Sequence, residues 1–196
     1  MSRLDTHEAT RTVETTLDGA IALHQRVRTL NLGAVVMAAD AVLDAYAAGG
    51  KVLAFGNGGS AADAQHLAAE LVGRFERQRP ALAALALTCD ASVMTSIAND
   101  DAFERVFARQ VEGLGRAGDV AIALSTSGAS PNVLAGIEAA RRGGLRTVAL
   151  TGRDGGDAGR AADIHINVPD DSAARVQEVH RTLIHAICRI VEGASA

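Results

Sequence analysis

The sequence predicts an α/β fold: a doubly wound sheet of five parallel strands flanked by helices and preceded by a helical extension. Three observations predict it. Five short apolar runs alternate with segments of helical period, the first run passes through a glycine-rich turn directly into a helix, and two long helix-like stretches precede them all.

The extension covers roughly residues 6–30 and 32–48, the second stretch stopping at Gly49 and Gly50 as helices commonly do. A strand at 51–55 then meets Gly56-Asn57-Gly58-Gly59-Ser60, and a helix follows over 61–72. The unit recurs four times: a strand at 83–87 before a helical segment around 92–97, 120–124 before 131–142, 147–150 before 155–161, and 164–168 before 173–191. Sheets of this kind bind ligands beyond the carboxyl ends of their strands, where turns and helix N-termini expose backbone N–H groups.

Composition bounds the function. With 196 residues, 48% of them hydrophobic, and no repeat or linker, the chain is expected to form one domain over residues 1–196. A net charge of -4 and 3% aromatic residues argue against a nucleic-acid surface, while leaving a small anionic substrate open. No window approaches the roughly 20 apolar residues that span a bilayer. Residues 1–16 lack the basic start and apolar run of a leader, so a soluble, cytoplasmic protein is expected. Cys89 and Cys188 have no paired spacing; neither a disulfide nor a cysteine metal site is indicated, and both thiols are expected to be buried.

Two loops carry anion-binding chemistry. In Gly56-Asn57-Gly58-Gly59-Ser60-Ala61 small residues allow close backbone approach, and Ser60 sits where an N-cap hydroxyl would lie. The same letters fit the dinucleotide pattern G-x-G-x-x-A, with Glu76 about 20 residues on; a plain tight turn would look similar. In Ser125-Thr126-Ser127-Gly128-Ala129-Ser130-Pro131 four hydroxyls flank a glycine, and Pro131 suits the first helical position, so the segment can present several donors to one phosphate. A dinucleotide site has no need of this second loop, and the pair together favours a sugar phosphate.

Helices supply the ionisable groups. Asp63, His66 and Glu70 lie on the first helix after a strand, and the four-residue step puts His66 and Glu70 on one face, within reach of a common ion or substrate. The last helix carries Gln177, His180 and His185 among apolar residues spaced for burial against the sheet, so its polar groups need partners.

In these motifs, together with Ala98-Asn99-Asp100, Thr151-Gly152, Asp154-Gly155-Gly156 and Arg175-Val176-Gln177-Glu178-Val179-His180, the sequence resembles the phosphoheptose isomerase branch of the sugar-isomerase (SIS) domain family over nearly its whole length. The resemblance implies a flavodoxin-like fold and a homotetramer built partly through the N-terminal helices, about 1–48. It implies that Asn57, Gly58, Gly59, Asn99, Asp100 and Gln177 line the sugar site and that Ser125, Thr126, Ser127 and Ser130, helped by Ser60, hold the phosphate. It further implies that His66, Glu70, Gln177 and His185 bind one zinc per subunit, with Glu70, which also faces the substrate, and His185 as the acid–base pair. His180 falls outside that set and is expected to be structural. The implied reaction, sedoheptulose 7-phosphate to the corresponding aldose phosphate, moves one proton between C1 and C2 and another between oxygens through an enediol. A carboxylate, an imidazole and a metal suit those tasks. Two alternatives share the fold: a non-enzymatic relative that binds the bacterial replication initiator, which would lack the Glu70–His185 pair, and a sugar-phosphate sensor, for whose usual partner domain the chain has no room.

Overall fold

The computed structural model describes residues 5–30 and 32–194; the first four residues of the stretch read as lacking a leader lie outside them. Two helices come first, α1 (Thr6–Arg28) and α2 (Gly33–Ala47). Asp5 starts α1 by accepting the N–H of His7 at 2.9 Å, and α2 ends where Gly50 N–H returns to the Ala45 carbonyl at 2.7 Å. The remainder alternates: β1 (Val52–Gly56), α3 (Gly59–Val72), β2 (Ala84–Ala86), α4 (Ala91–Asp100), a 3₁₀ turn (Phe103–Arg105) leading into α5 (Val106–Leu114), β3 (Val120–Ser125), α6 (Pro131–Arg142), β4 (Arg146–Gly152), α7 (Gly156–Ala161), β5 (Ile164–Val168) and α8 (Ala173–Ala194). All five strands are parallel, in the order β2-β1-β3-β4-β5.

Two differences from expectation have simple causes. The helical segment around 92–97 extends over Ala91–Asp100 because Asp90 caps it, accepting Val93 N–H at 3.0 Å. Helix α5 was not foreseen, although Val106, Phe107, Gln110 and Val111 repeat at helical spacing and are all buried.

Burial on both faces explains the uninterrupted apolar strands. Val52, Ala54, Ile122, Leu124, Val148 and Leu150 point to one face and pack under α1, α2, α3 and α8. Leu53, Phe55, Ala121, Ala123 and Ala149 alternate to the other and meet α5, α6 and α7. Strand β1 pairs with β3, with Gly56 beside Leu124. Since α-helical crossovers depart in opposite directions from these two central strands, their carboxyl ends form the switch point of the sheet, and the 56–60 and 125–130 loops emerge next to one another. No single helix among the described residues is long and apolar enough to cross a membrane.

Candidate active site

A reciprocal amide pair ties the two loops: Asn57 Nδ2 donates to Asn132 Oδ1 at 2.8 Å, and Asn132 Nδ2 donates to Asn57 Oδ1 at 2.9 Å. Asn132, on α6 and 2% exposed, had not been singled out in the sequence; its signal was a polar residue one position after the helix-starting Pro131. Ser60 differs from its expected role. Gly58, at φ 57°, occupies the N-cap position of α3, and Ser60 lies in the first turn, 3% exposed, with its N–H on the Asn57 carbonyl at 3.0 Å.

The 125–130 loop curls tightly. Ser125 Oγ accepts Gly128 N–H at 3.1 Å and lies 3.3 Å from Ser130 Oγ and 3.5 Å from Ser127 Oγ, which in turn accepts Ala129 N–H at 3.2 Å. Gly128 has φ 64°, and a Cβ there would stand 2.1 Å from the Gly155 carbonyl oxygen, so no other residue fits this backbone contact. Ala158 N–H also donates to the Gly128 carbonyl at 2.9 Å. Three hydroxyls are thereby bunched at the start of α6, where Pro131 takes the first helical position, in the arrangement that suits a phosphate. Thr126 is half-buried in the same turn.

The ionisable groups converge across α3 and α8. His66 Nε2 lies 2.7 Å from His185 Nε2 and 3.3 Å from Glu70 Oε1, and one ligand atom from each of the three fits within 4.8 Å of the others. The helices are held in register by a partner link one turn earlier: Arg181 donates to Asp63 Oδ1 through Nε at 2.9 Å, and Asp63 is 2% exposed. Phe75 stacks on His185, ring centroids 5.3 Å apart. Burial first, and then the Arg181 charge, lower the affinity of His66 for a proton, against the opposing pull of Glu70. A neutral His66 can offer a ring nitrogen lone pair to a metal, and three nitrogen and oxygen donors gathered within 4.8 Å of one another are a ligand set that zinc accepts. Burial, assisted by Glu70, pushes the Cys188 thiol up to about 12, so it supplies no thiolate. Cys188 is buried as expected, whereas Cys89 is exposed.

Gln177 stands two turns before His185 on the unbroken α8, about 12 Å along the axis at 1.5 Å per residue. Its amide packs on Gly59, where a Cβ would meet Nε2 at 2.5 Å, so Gly59 makes room for it. Asn99 and Asp100 close α4, joined by an Asn99 Nδ2 to Asp100 Oδ1 bond of 2.8 Å. Among the described residues no hydrogen bond joins either to the serine loop or the histidine cluster. His180 is fully buried and donates Nε2–H to the Thr151 carbonyl at 2.9 Å, as a structural residue would. Glu76 lies on the loop after α3, paired with Arg189, and not at the end of β2 where the dinucleotide pattern needs its acid.

A doubly wound sheet with a hydroxyl-lined loop at its switch point and a His–Glu–His cluster on the adjoining helices has the groups that acid–base chemistry on a small phosphorylated metabolite would need. Residues 17–152 match the SIS domain family model. The phosphoheptose isomerase of Roseiflexus sp. is 49% identical over 183 residues, 93% of this chain and 93% of the relative. That of Laribacter hongkongensis is 55% identical over 163 residues, 82% of this chain and 83% of the relative. The structure of phosphoheptose isomerase from Neisseria gonorrhoeae superposes with a TM-score of 0.90 at 43% identity, covering 94% of this chain and 99% of that one. The chain belongs to the SIS domain family, on its phosphoheptose isomerase branch.

Proposed function

We propose that the chain interconverts sedoheptulose 7-phosphate and D-glycero-D-manno-heptose 7-phosphate through an enediol, the first step of nucleotide-activated heptose synthesis. The observation that carries this reading is the convergence of His66, Glu70 and His185 across α3 and α8. Ser125, Thr126, Ser127 and Ser130, with Ser60, take the phosphate; Asn57, Gly58, Gly59, Glu70, Asn99, Asp100 and Gln177 face the sugar. Glu70 removes a proton from C1 and returns it at C2, while His185 takes the O1 proton and delivers one to O2, so the carbonyl moves from C2 to C1. His66, Glu70 and His185 would hold one zinc per subunit, with Gln177 supplied from a neighbouring subunit, since within one chain it lies about 12 Å from His185 along α8. When bound, zinc polarises the carbonyl and offsets the negative charge that develops on oxygen.

The active form in this reading is a cytoplasmic homotetramer of one-domain chains, without nucleic-acid or membrane partners. Its N-terminal helices contribute to assembly, in keeping with an exposed apolar row at i, i+4 and i+8 on α1: Val13, Leu17 and Ile21, 58%, 58% and 55% exposed. The initiator-binding alternative finds no support, since the chain keeps both Glu70 and His185 and the relatives are isomerases. Incubation with sedoheptulose 7-phosphate, followed by NMR, zinc analysis and light scattering, should give aldose product, about one metal per chain and a tetramer. An inactive, metal-free protein that captures the initiator would refute the reading.

A further inference from the structure

The loop at residues 73–79 is gripped by three side chains of α8 at i, i+4 and i+7, which share one helix face. His185 stacks on Phe75 with ring planes 29° apart. Arg189 lies 5.8 Å from the centre of the same ring and pairs with Glu76. Glu192, 2% exposed, accepts the backbone N–H groups of Phe75, Glu76 and Arg77 at 3.1, 2.8 and 2.9 Å. Its carboxylate also faces Arg79 Nε at 3.4 Å, with both side chains 3% exposed. Arg79 in turn donates to the carbonyls of Glu70 at 2.6 Å and Leu71 at 2.8 Å, in the last turn of α3. Burial opposes the Glu192 charge, but the three N–H donors and Arg79 outweigh it and keep the carboxyl below its ordinary range.

A buried ion pair is a poor source of net stability compared with apolar residues of the same volume, and in some proteins its role is to fix geometry. What this pair fixes is the backbone that carries Phe75. An imidazole turns readily about its second side-chain torsion. Metal-binding histidines are usually held by a bond from the second ring nitrogen to a carbonyl or carboxylate. Among the described residues His185 Nδ1 makes no such bond, and its ring instead lies between His66, centroids 5.0 Å apart, and Phe75. We infer that Glu192 and Arg79 are positioning residues: they fix the 73–79 loop so that Phe75 holds the His185 imidazole with Nε2 directed at His66 and Glu70. This rests on the metal-site reading proposed above.

Zinc affinity, read by competition with a chromophoric chelator, tests it independently of turnover. Phe75→Leu leaves the backbone bonds to Glu192 in place but removes the ring, and should weaken zinc binding about tenfold and lower kcat, with KM for the sugar phosphate within about twofold of wild type. Phe75→Tyr keeps the ring and should restore both. Glu192→Gln, which weakens the grip on the loop, should shift zinc affinity in the same direction as Phe75→Leu. If wild-type protein takes up no zinc, the metal-site reading falls and this inference with it. If wild type binds zinc and Phe75→Leu binds it equally well, the positioning role alone is refuted.

Discussion

The serine loop closes on itself within six residues, whereas the histidine cluster joins side chains 119 positions apart in the chain. The first needs only a strand end, a glycine at φ 64° and a proline to start the next helix. The second needs α3 and α8 packed in register, with Asp63–Arg181 before it and the Glu192–Arg79 clamp after it. A contiguous site should therefore respond to substitution through binding alone. A site assembled from distant helices should respond through chemistry and through every contact that aligns those helices.

The largest effect should fall on the assembled site. His185→Gln removes the group assigned to the oxygen protons and one cluster ligand, and turnover should drop by about 10²–10⁴ while the circular dichroism spectrum is kept. A loss under tenfold would leave the cluster without its assigned acid. Next come Ser127→Ala and Ser130→Ala. Each deletes a charge-assisted hydrogen bond of roughly 1.5–3 kcal/mol, so KM and the inhibition constants of other sugar phosphates should rise together by one to two orders of magnitude. Added NAD should neither compete nor raise the melting temperature. A fall in kcat with unchanged KM would show that the serine loop is not the separate binding element described here.

The smallest effect on catalysis is expected at His180, which shares α8 with the cluster but faces the core. Burial holds its pKa below the ordinary 6.5, opposed by the bond to Thr151 and by Asp63. The unfolded chain therefore takes up the proton first as pH falls. The stability of neutral His180 is fully present above pH about 6.5 and is lost below it, with a slope of at most about 1.4 kcal/mol per pH unit. His180→Gln should lower stability at neutral pH by roughly 1–3 kcal/mol, because the buried Thr151 carbonyl loses its donor. It should also make the decline between pH 6.5 and 5 shallower, with kcat nearly unchanged. Denaturant unfolding across that range measures both, and a kcat loss exceeding the stability loss would move His180 into the catalytic group.

Legibility in the sequence follows the same division. The strands, the strand-end loops and Pro131 as the first residue of α6 were readable because each depends on residues close in the chain. The pairing of His66 with Glu70 was readable from one helical turn. Their meeting with His185 was not a property of spacing; it entered through the resemblance to a family. Local pattern misplaced Ser60 as the cap, because the backbone puts Gly58 there and Ser60 in the first turn of α3. It gave no sign of the Arg79–Glu192 pair, 113 residues apart, except that Glu192 continues the buried row of Ile184 and Cys188 at four-residue steps. A carboxylate on a buried row needs a partner, but only the fold identifies which.

Glu70 is assigned as the base that moves the proton between C1 and C2, and turnover of sedoheptulose 7-phosphate by Glu70→Gln is the measurement that decides that role. The amide keeps the shape and an oxygen for the cluster while removing the basic group. With Glu70 as the base, the variant should fold, bind substrate with near wild-type affinity and convert it at least about 10²-fold more slowly. Near-normal turnover by Glu70→Gln would remove Glu70 as the base.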